Sequence, residues 1–194
     1  PGEIETIEIV HQEVGIDLHI TLNAERLERF DLIQRRRTLP GRAGCGLCGL
    51  DNAESLTRPL PPIADRAIEL SPDALAAAMA ALPAWQPLNA RALSVHAAAW
   101  ATSGGEVLAA REGVGRHNAL DKLVGALVRG ERDTTDGFVV MSSRCSYELV
   151  EKAARAGLPA IATLSAPTAF AIRKAREARI ALYARSSGHF VRVP

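Results

Sequence analysis

Three cysteines in 194 residues are too few, and odd in number, for a disulfide-stapled secreted domain. That excludes a secreted scaffold and points to a cytoplasmic protein with reduced thiols. Charge of one sign is also missing. The formal net charge is +1, so there is no global pull toward nucleic acid or a membrane surface. No apolar run reaches the roughly 18 residues that a bilayer span needs, and no basic, then apolar, leader opens the chain. Lysine is scarce, with 3 against 20 arginines; this bias is compositional and needs no functional reading. The chain opens on Pro1-Gly2 instead of methionine, from which an N-terminal truncation is expected.

What is present suffices for a core. The hydrophobic fraction is 47%, ordinary for a globular protein. A chain of this length buries roughly 70% of its unfolded surface and makes one domain, or one plus part of another. There is no internal repeat.

The pattern of the chain has two halves. Residues 4–10 and 16–22 alternate apolar and polar about Gly15, which predicts an antiparallel pair. Residues 24–39 read as a helix ending in Arg35-Arg36-Arg37, stopped by Pro40-Gly41. Those arginines either complement the helix dipole or face an anion or the thiols that follow. Arg42-Ala43-Gly44-Cys45-Gly46-Leu47-Cys48-Gly49 reads as an exposed loop. The expected organisation is a β-rich part over 1–56, a Pro-rich linker over 57–70 and an α/β domain over 71–194.

In that last part Ser71-Pro72 opens a helix to about Leu82. Strands over 92–100 and 106–111 make a hairpin across Gly104-Gly105, and a helix covers 116–129. Strand 137–142, helix 146–156, strand 159–164, helix 167–178 and strand 180–185 then alternate, before a short strand over 189–193. Ser165 is the expected cap of the second of these helices. Alternation of this kind argues for a mainly parallel sheet covered by helices.

Ligands of such sheets bind outside the carboxyl ends of the strands. The predicted ends are Ser142-Ser143-Arg144, Ser165-Ala166-Pro167-Thr168 and Arg185-Ser186-Ser187-Gly188-His189. They are small, polar or basic, and two open helices, whose free N–H groups suit phosphate. Ordinary capping explains any one of them alone. Gly113-Val114-Gly115-Arg116-His117-Asn118 opens another helix, with basic residues where the dipole disfavours them. His96 reads as a core histidine and Cys145 as a small, semi-buried residue. Asp121 and Lys122 read as pairing with helix neighbours.

A Cys-x-x-Cys pair can hold metal, shuttle electrons or carry sulfur. A thioredoxin-like reductase would place it between a strand and a helix start, and here it follows a helix. A zinc deaminase would carry His-x-Glu and a later Pro-Cys-x-x-Cys. His96 is instead followed by Ala97-Ala98, and the cysteine pair precedes it.

Several segments together resemble the formate dehydrogenase accessory sulfurtransferase (FdhD) family. They are Arg35–Arg37, Gly41–Gly49, His96–Ala99, Gly113–Lys122, Ser142–Glu148, Gly157–Pro159 and Ser165–Thr168. The Gly-Arg-His-Asn-Ala-x-Asp-Lys block is the most specific. The resemblance implies a three-layer core similar to the cytidine deaminase fold, preceded by the β-rich part. It implies a cytoplasmic sulfurtransferase, typically a homodimer, that takes sulfur from a cysteine desulfurase as a persulfide. The sulfur passes to a molybdenum (or tungsten) bis(molybdopterin guanine dinucleotide) cofactor destined for formate dehydrogenase. Cys45 is the implied persulfide carrier and Cys48 its assistant. The implied cofactor segment, Ala184-Arg185-Ser186-Ser187-Gly188-His189, has Ala184 and His189 where the family has Phe and Arg. Arg116, His117, Arg144, Ser165 and Thr168 complete the expected cofactor-binding set, for which a guanine nucleotide serves as analogue. The alternatives are a non-catalytic cofactor-binding chaperone or a zinc-binding, deaminase-like protein.

Overall fold

The computed structural model describes residues 3–12, 15–28, 59–63 and 68–193. It divides into two compact units, Pro1–Thr57 and Arg58–Pro194.

In the first unit β1 (Ile4–Gln12) pairs antiparallel with β2 (Gly15–Leu22), as the alternation predicts. Residues 24–28 are helical, and the Asn23 side chain accepts from Arg26 N at 2.9 Å as their N-cap. The rest of the expected helix over 24–39 lies outside the described residues.

The second unit is built on a six-stranded sheet. Its strands are β3 (His96–Thr102), β4 (Val107–Gly113), β5 (Gly137–Arg144), β6 (Ala160–Ser165), β7 (Ala181–Ser186) and β8 (His189–Arg192). The order is β4-β3-β5-β6-β7-β8. β5, β6 and β7 are parallel, whereas β4–β3, β3–β5 and β7–β8 pair antiparallel. The sheet is therefore mixed: the alternation of strand and helix produced the parallel block, and hairpins extend it on both sides.

Strand parity sorts the core into two layers. Ala98, Trp100, Val139, Met141, Ile161 and Leu182 face one side. There they pack on α3 (Arg116–Arg129), α4 (Tyr147–Arg155) and α5 (Ala169–Glu177). Ala97, Ala99, Phe138, Val140, Ala162 and Tyr183 face the other side. That layer holds α1 (Pro72–Ala81) through Leu75 and Ala78. Helices cover both faces, so the unit has three layers. Alanines along β3 leave room for helices to pack close to the sheet. At the β3–β4 turn, Gly105 has φ +91° and lies against the α1 backbone at Ala74, where a side chain would collide.

Local chemistry sets the helix ends. Ser71 Oγ accepts from Ala74 N at 3.1 Å and caps α1. The α5 cap is Thr168, not Ser165: Thr168 Oγ accepts from Ala171 N at 3.1 Å, while Ser165 still belongs to β6. The expected strand onset at residue 92 is also corrected. Pro87–Ala92 form a short helix, α2, and Leu93 ends it in the left-handed region at φ 51°. Its N-terminal amides are drawn onto a carboxylate: Glu112 accepts from Leu88 N and Asn89 N, both at 2.8 Å.

The segment expected as a linker is, where described, part of this unit. Leu60 and Leu70 are buried in the two core layers. Leu60 N donates to Glu177 Oε1 at 2.7 Å and Ile63 N to Ala178 O at 3.0 Å. Prolines 59, 61 and 62 stiffen the path but do not free it, because the leucines carry enough apolar surface to dock. Among the described residues no helix is long and apolar enough to cross a membrane.

Candidate functional site at the carboxyl edge of the sheet

β5 runs upward into Ser142-Ser143-Arg144, and the antiparallel β3 begins at the same edge with His96. β4 ends there too, and Gly113-Val114-Gly115 hands the chain to α3. These directions place Arg116, His117, His96, Arg144 and Cys145 at one end of the sheet. Cys145 belongs to the core layer on its α3–α5 face, and His96 shares the parity of Ala98 there. Arg144 stands opposite Ser165 in the β5–β6 register, and Thr168 N donates to Cys145 O at 3.0 Å. Arg144, Ser165 and Thr168 are therefore neighbours, as the strand-end reading expects.

Arg116 sets the electrostatics. Burial lowers the pKa of His96, and the Arg116 charge lowers it further. Burial also lowers that of His117; Glu148 opposes this, while Arg116 and Lys152 reinforce it and Asp121 opposes it. His117 Nε2 lies 3.0 Å from Glu148 Oε2. Its Nδ1 and the Ser146 hydroxyl are buried without a hydrogen-bond partner. Asp121 pairs with Lys152 of α4 at 2.6 Å, and Lys122 Nζ donates to Glu112 O at 3.0 Å. Cys145 is fully buried, not semi-buried, and burial pushes its thiol up to about 12 against the pull of Arg116. A thiol held neutral is neither nucleophile nor metal ligand.

Not every polar strand-end residue is free to bind. Ser142 Oγ accepts from Ala97 N at 2.8 Å and ties β3 to β5. Thr168 Oγ is occupied as a cap.

The C-terminal group falls on the opposite face. Arg185 follows Tyr183 in parity, toward α1. Arg185, Gly188 and His189 line a cavity of about 510 Å³ with Asp73, Met79 and Phe190. Ser187 (φ 48°) and Gly188 (φ 88°) make the two-residue turn between β7 and β8. His189 Nδ1 lies 3.3 Å from Ser187 O, and Ser186 and Ser187 are exposed. Ala184 is buried between β6 and β8 and offers a ligand nothing. The expected set is thus two clusters on one edge, separated by the sheet. Glu148 and Ser146 escaped the sequence reading as site residues; an acidic residue just inside a helix after a polar strand end was the available signal. Cys45, Cys48, Arg36, Arg37 and Arg42 lie outside the described residues. Among the described residues no three His, Cys, Asp or Glu side chains converge as a metal site.

The FdhD/NarQ family matches residues 1–193. The chain belongs to the FdhD/NarQ family. It is 46% identical over 189 residues to the sulfur carrier protein FdhD of Xanthomonas campestris pv. campestris (strain B100), covering 97% of this chain and 66% of that one. It is 51% identical over 200 residues to that of Burkholderia cenocepacia, covering 97% and 70% respectively. The chain thus spans about two thirds of the length of these relatives. Its fold is similar to the crystal structure of a protein described as a formate dehydrogenase accessory protein from Desulfotalea psychrophila. The TM-score is 0.66 at 21% identity, over 98% of this chain and 69% of that one. At that identity the likeness concerns the fold alone.

Proposed function

We propose that the chain is a sulfur carrier for formate dehydrogenase maturation. Cys45 takes sulfur as a persulfide from a cysteine desulfurase and passes it to a molybdenum or tungsten bis(molybdopterin guanine dinucleotide), its substrate. The observation that carries this reading is 46–51% identity, over 97% of the chain, to proteins named sulfur carrier protein FdhD. The order of strands and the helices on both faces support a cytidine deaminase-like core. The setting is the cytoplasm and the assembly a homodimer.

The chemistry balances as thiol exchange. The Cys45 thiolate attacks the outer sulfur of the donor's persulfide; a new S–S bond forms, the old one breaks, and the donor leaves as a thiolate. For release, the Cys48 thiolate attacks Cys45 Sγ. The outer sulfur departs as hydrosulfide, reduced by two electrons, and the thiol pair becomes a disulfide. A small thiol reductant must reopen that disulfide before the next cycle. The neutral Cys145 leaves the exchange to the other two thiols. Phosphates of the substrate suit Arg116 and the α4 and α5 N-termini on one face, Arg144 at the strand end, and Arg185, Gly188 and His189 on the other face. A protein acting only as a chaperone would use this edge and no thiol.

The test is incubation with a cysteine desulfurase and cysteine, followed by peptide mass spectrometry without reductant. One added sulfur on the Cys45 peptide, lost in Cys45→Ala, supports the proposal. An unmodified Cys45 in a protein that still binds guanine nucleotide overturns it in favour of the chaperone.

A further inference from the structure

On the flank of α3, away from its N-terminus, a cavity of about 570 Å³ runs between the helix and edge strand β4. Its lining holds Arg111 of β4 and Lys122 and Arg129 of α3, with Gly125 and Ala126 between the two helical cations. Residues 122, 125, 126 and 129 share one stripe of the helix, and the outer two are roughly 10 Å apart along its axis. Among the described residues no carboxylate lines the cavity, and none of the three cations has a carboxylate partner.

Their remaining bonds leave donors to spare. Arg111 Nη1 donates to Ala110 O at 2.7 Å and Lys122 Nζ to Glu112 O at 3.0 Å. An arginine has five N–H donors and a lysine three. Arg129 suits the helix C-terminus, but that explains neither Arg111 nor Lys122. A concave surface lined by one sign of charge focuses its field and attracts a counter-ion.

Gly125 is the independent observation. A glycine inside a helix is unfavourable relative to alanine. Here, among the described residues, a β-carbon would meet nothing within 4 Å, and none of them packs against this position in a way that requires a glycine. What the missing side chain keeps is open floor between two cations.

We propose that this groove binds a phosphorylated small molecule, its phosphate oxygens held by Arg111, Lys122 and Arg129 and its body lying over Gly125 and Ala126. The volume suits a small ligand, and the arginine fork suits phosphate. The proposal is independent of the sulfur-carrier reading, whose residues occupy the carboxyl edge.

The test is calorimetric titration of the full chain with inorganic pyrophosphate, alongside thermal melts. Arg111→Ala/Arg129→Ala should weaken binding about tenfold or more and steepen no thermal transition. Gly125→Ala should raise the melting temperature, since alanine favours the helix, and yet weaken binding. That opposition is one a purely structural glycine would not produce. Wild-type protein that binds no pyrophosphate overturns the proposal. So does pyrophosphate binding that both variants leave unchanged, which would place the anion at the carboxyl edge.

Discussion

Burial holds the Cys145 thiol at about 12, so at neutral pH it is protonated and walled off inside the α3–α5 layer. Iodoacetamide near pH 8 should therefore leave the Cys145 peptide unmodified in folded protein and alkylate it only after unfolding in urea. Peptide mass spectra check both halves, and labelling in the native state would overturn the burial argument. The two histidines at the edge carry a second expectation. His96 and His117 both titrate below the ordinary 6.5 in the folded chain. As pH falls, the unfolded chain takes up protons first. Their contribution is thus fully present above about pH 6.5 and is lost as pH drops through that value toward the folded pKa values. Urea midpoints should be lower at about pH 5.5 than at about pH 7.5, and His96→Gln/His117→Gln should shrink that difference. Neither effect is legible in the sequence. Cys145 follows an arginine and precedes a serine, and only the packing of α3 and α4 shows that water is excluded from it.

At the scale of elements, the capping chemistry separates two neighbours that look equivalent in the sequence. Thr168 caps α5 and Ser165 does not. Thr168→Ala should cost about 1 kcal/mol of stability and Ser165→Ala less than about 0.5 kcal/mol, as read from denaturant midpoints. Equal costs would contradict the assigned cap. Gly105 is under a stricter constraint, with a left-handed φ and the α1 backbone against it. Gly105→Ala should destabilise by more than about 1 kcal/mol, the cost of moving the β3–β4 turn off α1. The periodicity of residues 116–129 predicted α3 to the residue, because a 3.6-residue apolar stripe over four turns has no competing reading. Residues 92–95 misled for the opposite reason. Their apolar character suits a strand, yet the Glu112 carboxylate, distant in sequence, captures the amides of Leu88 and Asn89 and nucleates a helix just before them.

Across the whole molecule, the α/β unit begins earlier than its first helix. Leu60 and Leu70 are 4% and 5% exposed and belong to opposite layers of the core. Leu60→Ala or Leu70→Ala should each cost about 2–5 kcal/mol in a thermal or urea melt of the full chain. A change below about 0.5 kcal/mol would restore the segment to a free tether. The sequence by itself determined the alternation of strands and helices, the parallel block, the α3 boundaries and the gathering of Arg144, Ser165 and Thr168 at one edge. These follow from local periodicity, turn residues and strand direction, all of which act within a few neighbouring positions. Only the tertiary structure decided that Arg185 and His189 face α1 while Arg116 and His117 face α3–α5. It alone joined His117 to Glu148, buried Cys145 and opened the groove over Gly125. Strand parity across a sheet, and the contacts of groups far apart in sequence, depend on how layers stack, and stacking is a property of the folded core as a whole.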